Sequence, residues 1–435
     1  MRHLVILGGG TAGTMAANRL RRKLPRDAWA ITVIDRDDEH HYQPGYLFLP
    51  FGTYTREQVV RSRHSFIGDG IELVLDEVER VDPVDHEVSL RGGRTLAYDQ
   101  LIVATGCTPR PDQTQGLAEA LEQPAATRTV HEFYTLDGAL ALHQALGRFG
   151  GGRLVVHLNE LPIKCPVAPL EFAFLADEYL TKRGVRDSSE IVYATPLDGA
   201  FTKATCSAAL GYLLTDRGIH MEADFATERI DAGQPGAVVS YDEREIPFDL
   251  LVTVPVNMGA DWVARSGLGD DLNFIPTDKH TLRSIAHEDI WVLGDAGDLP
   301  TSKAGSVAHF AVEIFEQNFL AAIAGRPLPA AFDGHSNCFI ESGYGKALLI
   351  DFNYDTEPLK GTFPLPRIGP MKLLQETKAN HAGKLAFRHI YWNVLLPGHS
   401  MPIPAHMSMA GKDLSSAVTP KAPPVPGGGH PIPTF

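Results

Sequence analysis

The sequence predicts an α/β protein with two Rossmann-like domains and a C-terminal membrane-associating region that contains amphipathic helices. Three observations predict this architecture. The chain opens with a short apolar strand that runs into a glycine-rich turn and a helix rich in Ala and Leu. A second strand–turn–helix unit follows at residues 153–180. Near the C-terminus, a basic segment carries apolar residues at helical spacing.

The first unit has the pattern of a dinucleotide-binding turn. Residues 4–7 form the predicted strand, and Gly8-Gly-Gly-Thr-Ala-Gly13 follows at once. In G-x-G-x-x-G, Gly8 permits the tight turn, Gly10 the close approach of a pyrophosphate, and Gly13 the packing of helix on strand. The N-terminus of the next helix directs its positive dipole end at the phosphates. We therefore expect a dinucleotide here.

Later strands indicate that this dinucleotide is FAD. The strand at 30–34 ends at Asp35, which lies 22 residues past Gly13, where an acidic side chain can hold ribose hydroxyls. Residues 98–106 form an apolar strand that ends in Ala-Thr-Gly, and residues 290–295 form another that ends in Gly-Asp. Both resemble segments of flavoproteins with two dinucleotide-binding domains, in which the Gly-Asp carboxylate meets the ribityl chain. A helix is predicted from Lys303 to about residue 324.

The second unit lacks the glycine loop that a nicotinamide cofactor needs. Residues 153–158 are predicted as a strand and residues 170–180 as a helix. The turn between them contains Cys165, and no glycine lies between Gly152 and Gly184. Because only glycine lets the backbone approach a pyrophosphate, the electron donor is predicted to be a sulfur compound and not NAD(P)H.

Composition narrows the class of protein. The chain has 435 residues, of which 44% are hydrophobic and 21% are charged, as in globular proteins of two or three domains. A net charge of −14 argues against nucleic acid as a partner. The first strand begins at the N-terminus and no apolar run reaches 18 residues, so neither a secretory signal nor a spanning helix is expected. Four cysteines are too few for a disulfide scaffold, and no metal site is predicted.

The C-terminal region combines positive charge with an amphipathic pattern. Between residues 358 and 400 there are six basic side chains and one acid, a local charge of +5. Phe387, Ile390, Tyr391, Val394 and Leu395 fall on one helical face, beside Trp392 and behind Lys384 and Arg388. A core-facing helix is the simpler alternative. The reversal of charge favours an interfacial helix on a membrane, most simply on its cytoplasmic side.

Taken together, residues 1 to about 400 resemble the sulfide:quinone oxidoreductase family. The resemblance rests on His41-Tyr-Gln-Pro-Gly45, on Pro162-Ile-Lys-Cys-Pro-Val-Ala-Pro169 with Glu171, on Gly294-Asp295 before Leu299-Pro-Thr-Ser-Lys303, and on the late Cys338. It implies an FAD enzyme that oxidises hydrogen sulfide through a pair of cysteines, Cys165 and Cys338, and reduces a membrane quinone. Tyr134 stands where some members attach FAD to a cysteine, so we expect FAD to be non-covalent. A homo-oligomer is compatible with the sequence.

The resemblance and the motifs assign roles to specific residues. Glu171 is predicted to transfer protons, with a solvated helix-start acid as the alternative. Phe352 and Tyr354 are predicted to contact the quinone ring. Cys107 and Cys206 receive no role, and His309 is predicted to be structural. The residues predicted to hold FAD are Gly8, Gly10, Thr11, Ala12, Gly13, Asp35, Gln43, Pro44, Val78, Ala104, Thr105, Gly106, Gly294, Asp295 and Lys303.

The predicted domains follow from these segments. Residues 1–110 and 261–328 form a discontinuous FAD-binding domain, and residues 145–260 form the second domain. Residues 330–400 form the quinone and membrane region, and residues 418–435 form a Pro/Gly-rich tail. Three alternatives stay open: a type II NADH:quinone dehydrogenase, a protein like flavocytochrome c sulfide dehydrogenase, and a non-enzymatic, FAD-stabilised redox sensor on a membrane.

Overall fold

The structure is a computed structural model that describes residues 1–233, 235–366 and 368–416. The predicted tail at 418–435 lies outside the described residues. Within the described part of the chain, no helix is both long and apolar enough to cross a bilayer.

The first domain is built on a five-stranded parallel sheet. In spatial order its strands are Ile290–Val292, Gln100–Val103, Arg2–Leu7, Trp29–Asp35 and Glu72–Leu75. Leu4 and Ile6 lie in the core beneath helices Thr11–Arg21 and Gly305–Ile323, while Val5 and Leu7 lie in a second core on the other face. All four side chains are fully buried, as expected for a sheet that is covered on both faces. A three-stranded meander covers the second face, with strands Val78–Asp82, Glu87–Leu90 and Thr95–Ala97.

The second domain repeats this plan. Its parallel strands, in spatial order, are Val130–His131, Leu250–Val254, Gly152–Leu158, Ser189–Ala194 and His220–Glu222. Its helices are Leu136–Arg148, Ala168–Lys182 and Ala204–Asp216, and its antiparallel meander consists of Thr227–Asp231, Gly236–Ser240 and Glu245–Phe248. The predicted strands at 153–158, 190–194 and 250–254 and the helix at 170–180 are confirmed, with the helix two residues longer at each end.

The C-terminal region folds as a small sheet with one helix against it. The sheet has four strands, in the order Ser336–Gly343, Lys346–Phe352, Met371–Leu373 and Gly361–Phe363. Helix Lys378–Ile390 packs on this sheet and continues into a single wide turn at Tyr391–Leu395. Further short elements include strands Glu39–His41, Val60–Ser62, Thr108–Pro109 and Asn257–Met258, α-helices Arg56–Val59, Leu117–Glu122 and Asp261–Arg265, and several 3-10 helices such as Gln43–Phe48.

The end of this helix packs inward, which corrects part of the predicted membrane face. Tyr391, Trp392 and Leu395 are each no more than 2% exposed. The Tyr391 hydroxyl lies 2.8 Å from Thr11 Oγ1 and 2.7 Å from His40 Nε2, and the Trp392 ring stacks on Phe66. The aromatic part of the helical face is therefore used to join the C-terminal region to the first domain, and these three side chains are not available to a membrane.

Candidate active site

One cleft of about 1170 Å³ lies where the first domain, the turn after the strand Gly152–Leu158 and the C-terminal region meet. The glycine-rich turn lines one part of it. The turn that carries Cys165 lines another, and strand Ser336–Gly343 and helix Lys378–Ile390 complete the wall. Strand ends and loops supply most of the lining, because the carboxyl ends of parallel strands form a crevice in such folds.

The glycine-rich turn has the close approaches that its sequence predicts. Gly8 adopts a left-handed φ of +94°, and a Cβ there would lie 2.4 Å from the carbonyl oxygen of Ala104. A Cβ on Gly13 would lie 1.9 Å from the carbonyl oxygen of Gly8. Gly10 differs from both, because a Cβ there would meet no atom within 4 Å and Gly10 lines the cleft. Two glycines therefore serve the protein's own packing, and the third leaves a cradle open to a ligand.

Asp35 is held at the end of its strand by three donors, one of which is the backbone N–H of Arg36, 2.8 Å from Oδ1. The backbone N–H of Gly9 donates to Asp35 Oδ2 at 2.7 Å, and the buried Arg63 guanidinium lies 3.0 Å from the same oxygen. Arg63 also donates to the carbonyl oxygens of Gly9, Asp37 and Glu39. Burial raises the pKa of Asp35, and Arg63 opposes that rise. Arg63 was not predicted from the sequence, because nothing in its local pattern indicates that it supports the glycine-rich turn.

The residues predicted to hold FAD are placed around this cleft. Of the fifteen, all but Gly13 line it. The hydroxyl of Thr105 is buried without a hydrogen-bond partner among the described residues, so a polar atom here is left for a ligand. Together with the open cradle at Gly10, this unsatisfied hydroxyl fits a bound dinucleotide.

Asp295 and Lys303 lie at another edge of the cleft. Burial raises the pKa of Asp295, and the Lys303 ammonium opposes that rise. Lys303 Nζ donates to the carbonyl oxygens of Asp295 at 3.0 Å and of Gly297 at 2.9 Å, and it lies 3.7 Å from the centroid of the Phe274 ring. These three neighbours fix the Lys303 ammonium in the wall of the cleft.

Cys165 lies at a turn that is tied to the Lys303 segment. Its backbone has a left-handed φ of +47°, which is uncommon for a residue with a Cβ. Its N–H donates to the carbonyl oxygen of Lys303 at 2.8 Å, and its own carbonyl oxygen accepts from the Tyr134 hydroxyl at 3.1 Å. Backbone bonds to separate parts of the fold therefore set the direction of the Cys165 side chain, which lines the cleft.

Cys338 reaches the same cleft from the C-terminal sheet. It lies on strand Ser336–Gly343, opposite Ile350 of the next strand. Burial raises the pKa of Cys338 to about 12, and Glu171 adds to the rise. Burial also raises the pKa of Cys165, with contributions from Glu171 and Cys338. Both cysteines are free thiols in this structure, and the low polarity around them favours the neutral form.

The two remaining cysteines differ in position. Cys107 lines the cleft, where burial raises its pKa to about 12. Cys206 is fully buried in helix Ala204–Asp216 and does not line the cleft.

Glu171 is buried beside the cysteines and is not a solvated helix-start acid. Its side chain is 1% exposed and forms an ion pair with Lys384. It also accepts a hydrogen bond of 2.6 Å from the backbone N–H of Glu341. Burial raises the pKa of Glu171, and the Lys384 ammonium opposes that rise. Burial disfavours the charged Lys384, but Glu171 and Glu341 outweigh it and raise the pKa of Lys384.

The C-terminal part of the cleft is apolar. Eight apolar side chains from this region line it: Phe339, Phe363, Met371, Phe387, Ile390, Leu395, Met401 and Ile403. Phe352 and Tyr354 are not among the lining residues, contrary to the prediction that they contact a ligand ring. Phe352 is 4% exposed and packed in the core, and the Tyr354 hydroxyl donates to the carbonyl oxygen of Lys279. Phe352 pairs with Ser336 and shares the Cys338 face of the sheet, but its ring lies in the core cluster with Lys203 Nζ 5.6 Å from its centroid.

Comparison with known proteins identifies the family. The model of the pyridine nucleotide-disulphide oxidoreductase family matches residues 2–313. The chain belongs to this family. Both Rossmann-like domains fall within the match, and the C-terminal region lies beyond it.

Individual proteins narrow the comparison. The chain is 24% identical over 401 residues to the mitochondrial sulfide:quinone oxidoreductase of Mus musculus, covering 91% of this chain and 86% of that one. The structure of the sulfide:quinone oxidoreductase of Aquifex aeolicus aligns with a TM-score of 0.77 and 20% identity over 92% of each chain. A chain in the mitochondrial ATP synthase of Tetrahymena thermophila aligns with a TM-score of 0.73 and 17% identity, over 90% of this chain and 96% of that one. The predicted α/β fold with two Rossmann-like domains and the resemblance seen in the sequence are confirmed.

Several residues of this pyridine nucleotide-disulphide oxidoreductase site were not predicted in their observed roles. Lys384 was assigned to a membrane face, yet its side chain is only 12% exposed and is paired with Glu171. Glu341 and His381 were not singled out. The spacing of His381 and Lys384, three residues apart on a helix, was an available signal that they share a face. The burial of Glu341, however, arises from contacts between distant segments.

Proposed function

We propose that the protein is a sulfide:quinone oxidoreductase that oxidises hydrogen sulfide and reduces a membrane quinone through FAD. The observation that carries this proposal is that Cys165 and Cys338, which are 173 positions apart in the chain, line the same cleft as the glycine-rich turn. The mouse relative with this name supports the proposal along most of its length. The cysteine at the position of the second glycine loop favours it over an NADH dehydrogenase.

FAD fits the first domain as a non-covalent cofactor. Gly10 would lie against its pyrophosphate, Asp35 would accept from its ribose hydroxyls, and Thr105 would hydrogen-bond it with its free hydroxyl. When bound, FAD supplies a two-electron acceptor for the sulfur chemistry and a two-electron donor to the quinone. Lys303 contributes a fixed positive charge in the cleft wall that favours an anionic reduced state.

The cysteine pair would perform the sulfur chemistry by thiol–disulfide exchange. Hydrosulfide attacks one sulfur of a Cys165–Cys338 disulfide, so that an S–S bond forms as the cysteine bridge breaks. One cysteine then carries the added sulfur as a persulfide, and the other takes the electron pair of the broken bond as a thiolate. A second sulfur compound removes the added sulfur from the persulfide and leaves that cysteine as a thiol. As this thiol loses its proton, it would re-form the S–S bond with the thiolate, and the two electrons that this oxidation releases would pass to the cofactor.

Glu171 would manage the protons of this exchange. Its buried carboxylate acts on both cysteines, and its raised pKa makes it a stronger base than an exposed glutamate. Lys384 holds the carboxylate in place and balances its charge. The pair thus combines a base with a counter-ion in a site from which water is largely excluded.

The apolar part of the cleft would take the quinone. Phe387 and Ile390 offer apolar and aromatic contact for a ring. Strands Gly361–Phe363 and Met371–Leu373 each place a side chain in the cleft wall. In the loop between these strands, Leu365 and Ile368 are 55% and 77% exposed. Exposed apolar side chains beside the cleft suit a protein that rests on a membrane surface and takes its quinone from the lipid.

Anaerobic spectroscopy of the purified protein tests the proposal. Sulfide should bleach the blue absorption band of the bound flavin, and a water-soluble quinone analogue should restore it. NADH in a separate cuvette should leave the band unchanged. Bleaching by NADH would favour the type II dehydrogenase, and a flavin that neither donor bleaches would favour the redox sensor. A functional test is needed because the same fold also occurs in a chain of an ATP synthase assembly, so that the fold alone does not establish enzymatic turnover.

A further inference from the structure

A chain of buried ionisable side chains leads away from the cysteine pair. Glu171 and Lys384 form its inner part and line the same cleft as Cys165 and Cys338. Glu341 follows on strand Ser336–Gly343 and is completely buried. His381 Nδ1 lies 2.9 Å and 3.0 Å from the two Glu341 carboxylate oxygens. The His381 side chain is 28% exposed, so this chain of residues ends at the surface of the protein.

The contacts within the chain are specific. The Glu341 backbone N–H donates to Glu171 Oε1 at 2.6 Å, which fixes the strand against the helix that carries Glu171. Lys384 Nζ pairs with Glu171, donates to the carbonyl oxygen of Phe339 at 3.1 Å, and is stabilised in its charged form by Glu341. Lys384 therefore lies under the influence of both carboxylates, and His381 contacts the outer one.

We propose that Glu341 and His381 form the outer part of a proton path that carries protons from the cysteine pair, through Glu171 and Lys384, to solvent. This inference rests on the proposed function and deepens it by giving the thiol proton a route out. Neither residue touches the reacting sulfur atoms, so both act through Glu171 and Lys384.

The proton count balances. A thiol of the cysteine pair gives its proton to the Glu171 carboxylate. The Lys384 ammonium gives one proton to Glu341 and takes one from Glu171, which restores both inner groups. Glu341 passes its proton to the neutral His381 ring, and the imidazolium releases it to water. One proton leaves the thiol and one enters solvent, with no oxidant or reductant consumed.

The electrostatic surroundings suit this path. Burial raises the pKa of Glu341, while Lys384 and His381 oppose the rise and Glu178 adds to it. A buried carboxyl with a raised pKa takes up a proton more readily than an exposed one, as a relay requires.

Stopped-flow spectroscopy of His381→Ala tests the path. Sulfide-driven reduction of the flavin should slow by about tenfold or more, the lower range of general acid–base effects. Reoxidation of the dithionite-reduced protein by a quinone analogue should keep its rate. Added imidazole should restore the first rate, because the half-exposed site of His381 can admit a small base. The matched control is His389→Ala, an exposed histidine of the same helix, which should change neither rate.

Glu341→Gln supplies a second reading. It should slow the same step without rescue by imidazole, because the buried link is interrupted before the surface is reached. If Glu341→Gln does not fold, the His381 variant with imidazole decides alone. Unchanged sulfide rates in His381→Ala, or a loss that imidazole does not reverse, would overturn the path. If wild-type protein shows no sulfide-driven reduction at all, the proposed function fails, which is a separate result.

Discussion

At the scale of single residues, the environment of the two thiols decides what they can do. Free cysteine attacks as thiolate, yet burial and Glu171 raise the pKa values of Cys165 and Cys338. A neutral thiol pair with raised pKa values is a poor nucleophile and gives up a proton only to a nearby base. The site is therefore better suited to begin from the disulfide, with an external sulfur anion as the nucleophile.

Replacing either cysteine separates the sulfur chemistry from the fold. Cys165→Ser or Cys338→Ser should abolish sulfide-driven quinone reduction while the flavin remains bound, because neither side chain holds the glycine-rich turn. The measurement is quinone reduction by sulfide together with the flavin absorption spectrum. Cys206→Ala is the control, since Cys206 is buried away from the cleft. Substantial activity in either serine variant would contradict the assignment.

Glu171→Gln removes the proton acceptor and leaves the shape of the side chain. The sulfide-driven step should slow by about a hundredfold, a typical effect of losing a general base. Rapid-mixing absorbance of the flavin measures it. Glu190→Gln, at a half-exposed position of the same domain where the carboxylate pairs with Arg153, should keep its rate. A Glu171→Gln protein with the wild-type rate would show that the carboxylate is only structural.

At the scale of elements, each strand–turn–helix unit shows how one local pattern can serve different chemistry. Helix Thr11–Arg21 begins directly after Gly10, whose surroundings leave room for a ligand. Helix Ala168–Lys182 begins three residues after a cysteine. The strands of both units were predictable because parallel strands that are buried on both faces have long apolar runs. A local pattern of this kind does not predict the contacts of Lys384, Glu341 and Arg63, because these contacts depend on segments far apart in the chain.

Two substitutions in the glycine-rich turn should affect different properties, one the stability of the apoprotein and the other the affinity for FAD. Gly13→Ala should destabilise the protein with or without FAD, because the new methyl group would meet the carbonyl oxygen of Gly8. Gly10→Ala should leave the apoprotein as stable as wild type and weaken FAD binding, because its surroundings are open. Thermal unfolding of the apoprotein and titration with FAD measure the two effects. Equal losses of apoprotein stability would contradict this division.

The C-terminal elements were predicted only in part. The basic helix was expected, and it is observed at Lys378–Ile390. Its apolar spacing did not reveal which neighbour it meets, because a membrane and a protein core select the same periodicity. At the C-terminal end of the helix the neighbour is the first domain, because the Tyr391 hydroxyl contacts Thr11 and His40. A pattern in the sequence thus indicates that a face is buried, but the partner is decided by the rest of the fold.

At the scale of the whole molecule, a second buried ion pair holds the last described segment in place. Asp351 accepts from His335 Nε2 at 2.8 Å and pairs with Lys412 Nζ at 2.5 Å, and all three side chains are no more than 2% exposed. His335 Nδ1 also lies 3.2 Å from the carbonyl oxygen of Ala405. These contacts join the segment 405–412 to the C-terminal sheet and complete the region that borders the cleft.

This cluster predicts how stability depends on pH. Burial alone would raise the pKa of Asp351, but His335 and Lys412 outweigh it and lower that pKa. A carboxyl with a lowered pKa in the folded state stabilises the fold above its unfolded value of about 3.9, and the contribution is lost as pH falls further. Asp351→Asn should cost about 3–5 kcal/mol at neutral pH, as for a broken buried pair, and should weaken the acid sensitivity.

Denaturant unfolding at neutral pH and below about pH 4 measures this contribution. Asp355→Asn, at an exposed position four residues further on, is the matched control and should behave as wild type. An Asp351→Asn protein that unfolds at the wild-type midpoint at neutral pH would contradict the prediction.

The left-handed backbone of Cys165 has a consequence for selection among variants. A side chain in this conformation costs roughly 1–2 kcal/mol relative to glycine, so the position is one at which stability alone would choose glycine. Cys165→Gly should therefore melt at a higher temperature than Cys165→Ala, although both are inactive. A screen for thermal stability alone should select variants in which Cys165 is replaced, whereas a screen that requires sulfide turnover should retain Cys165.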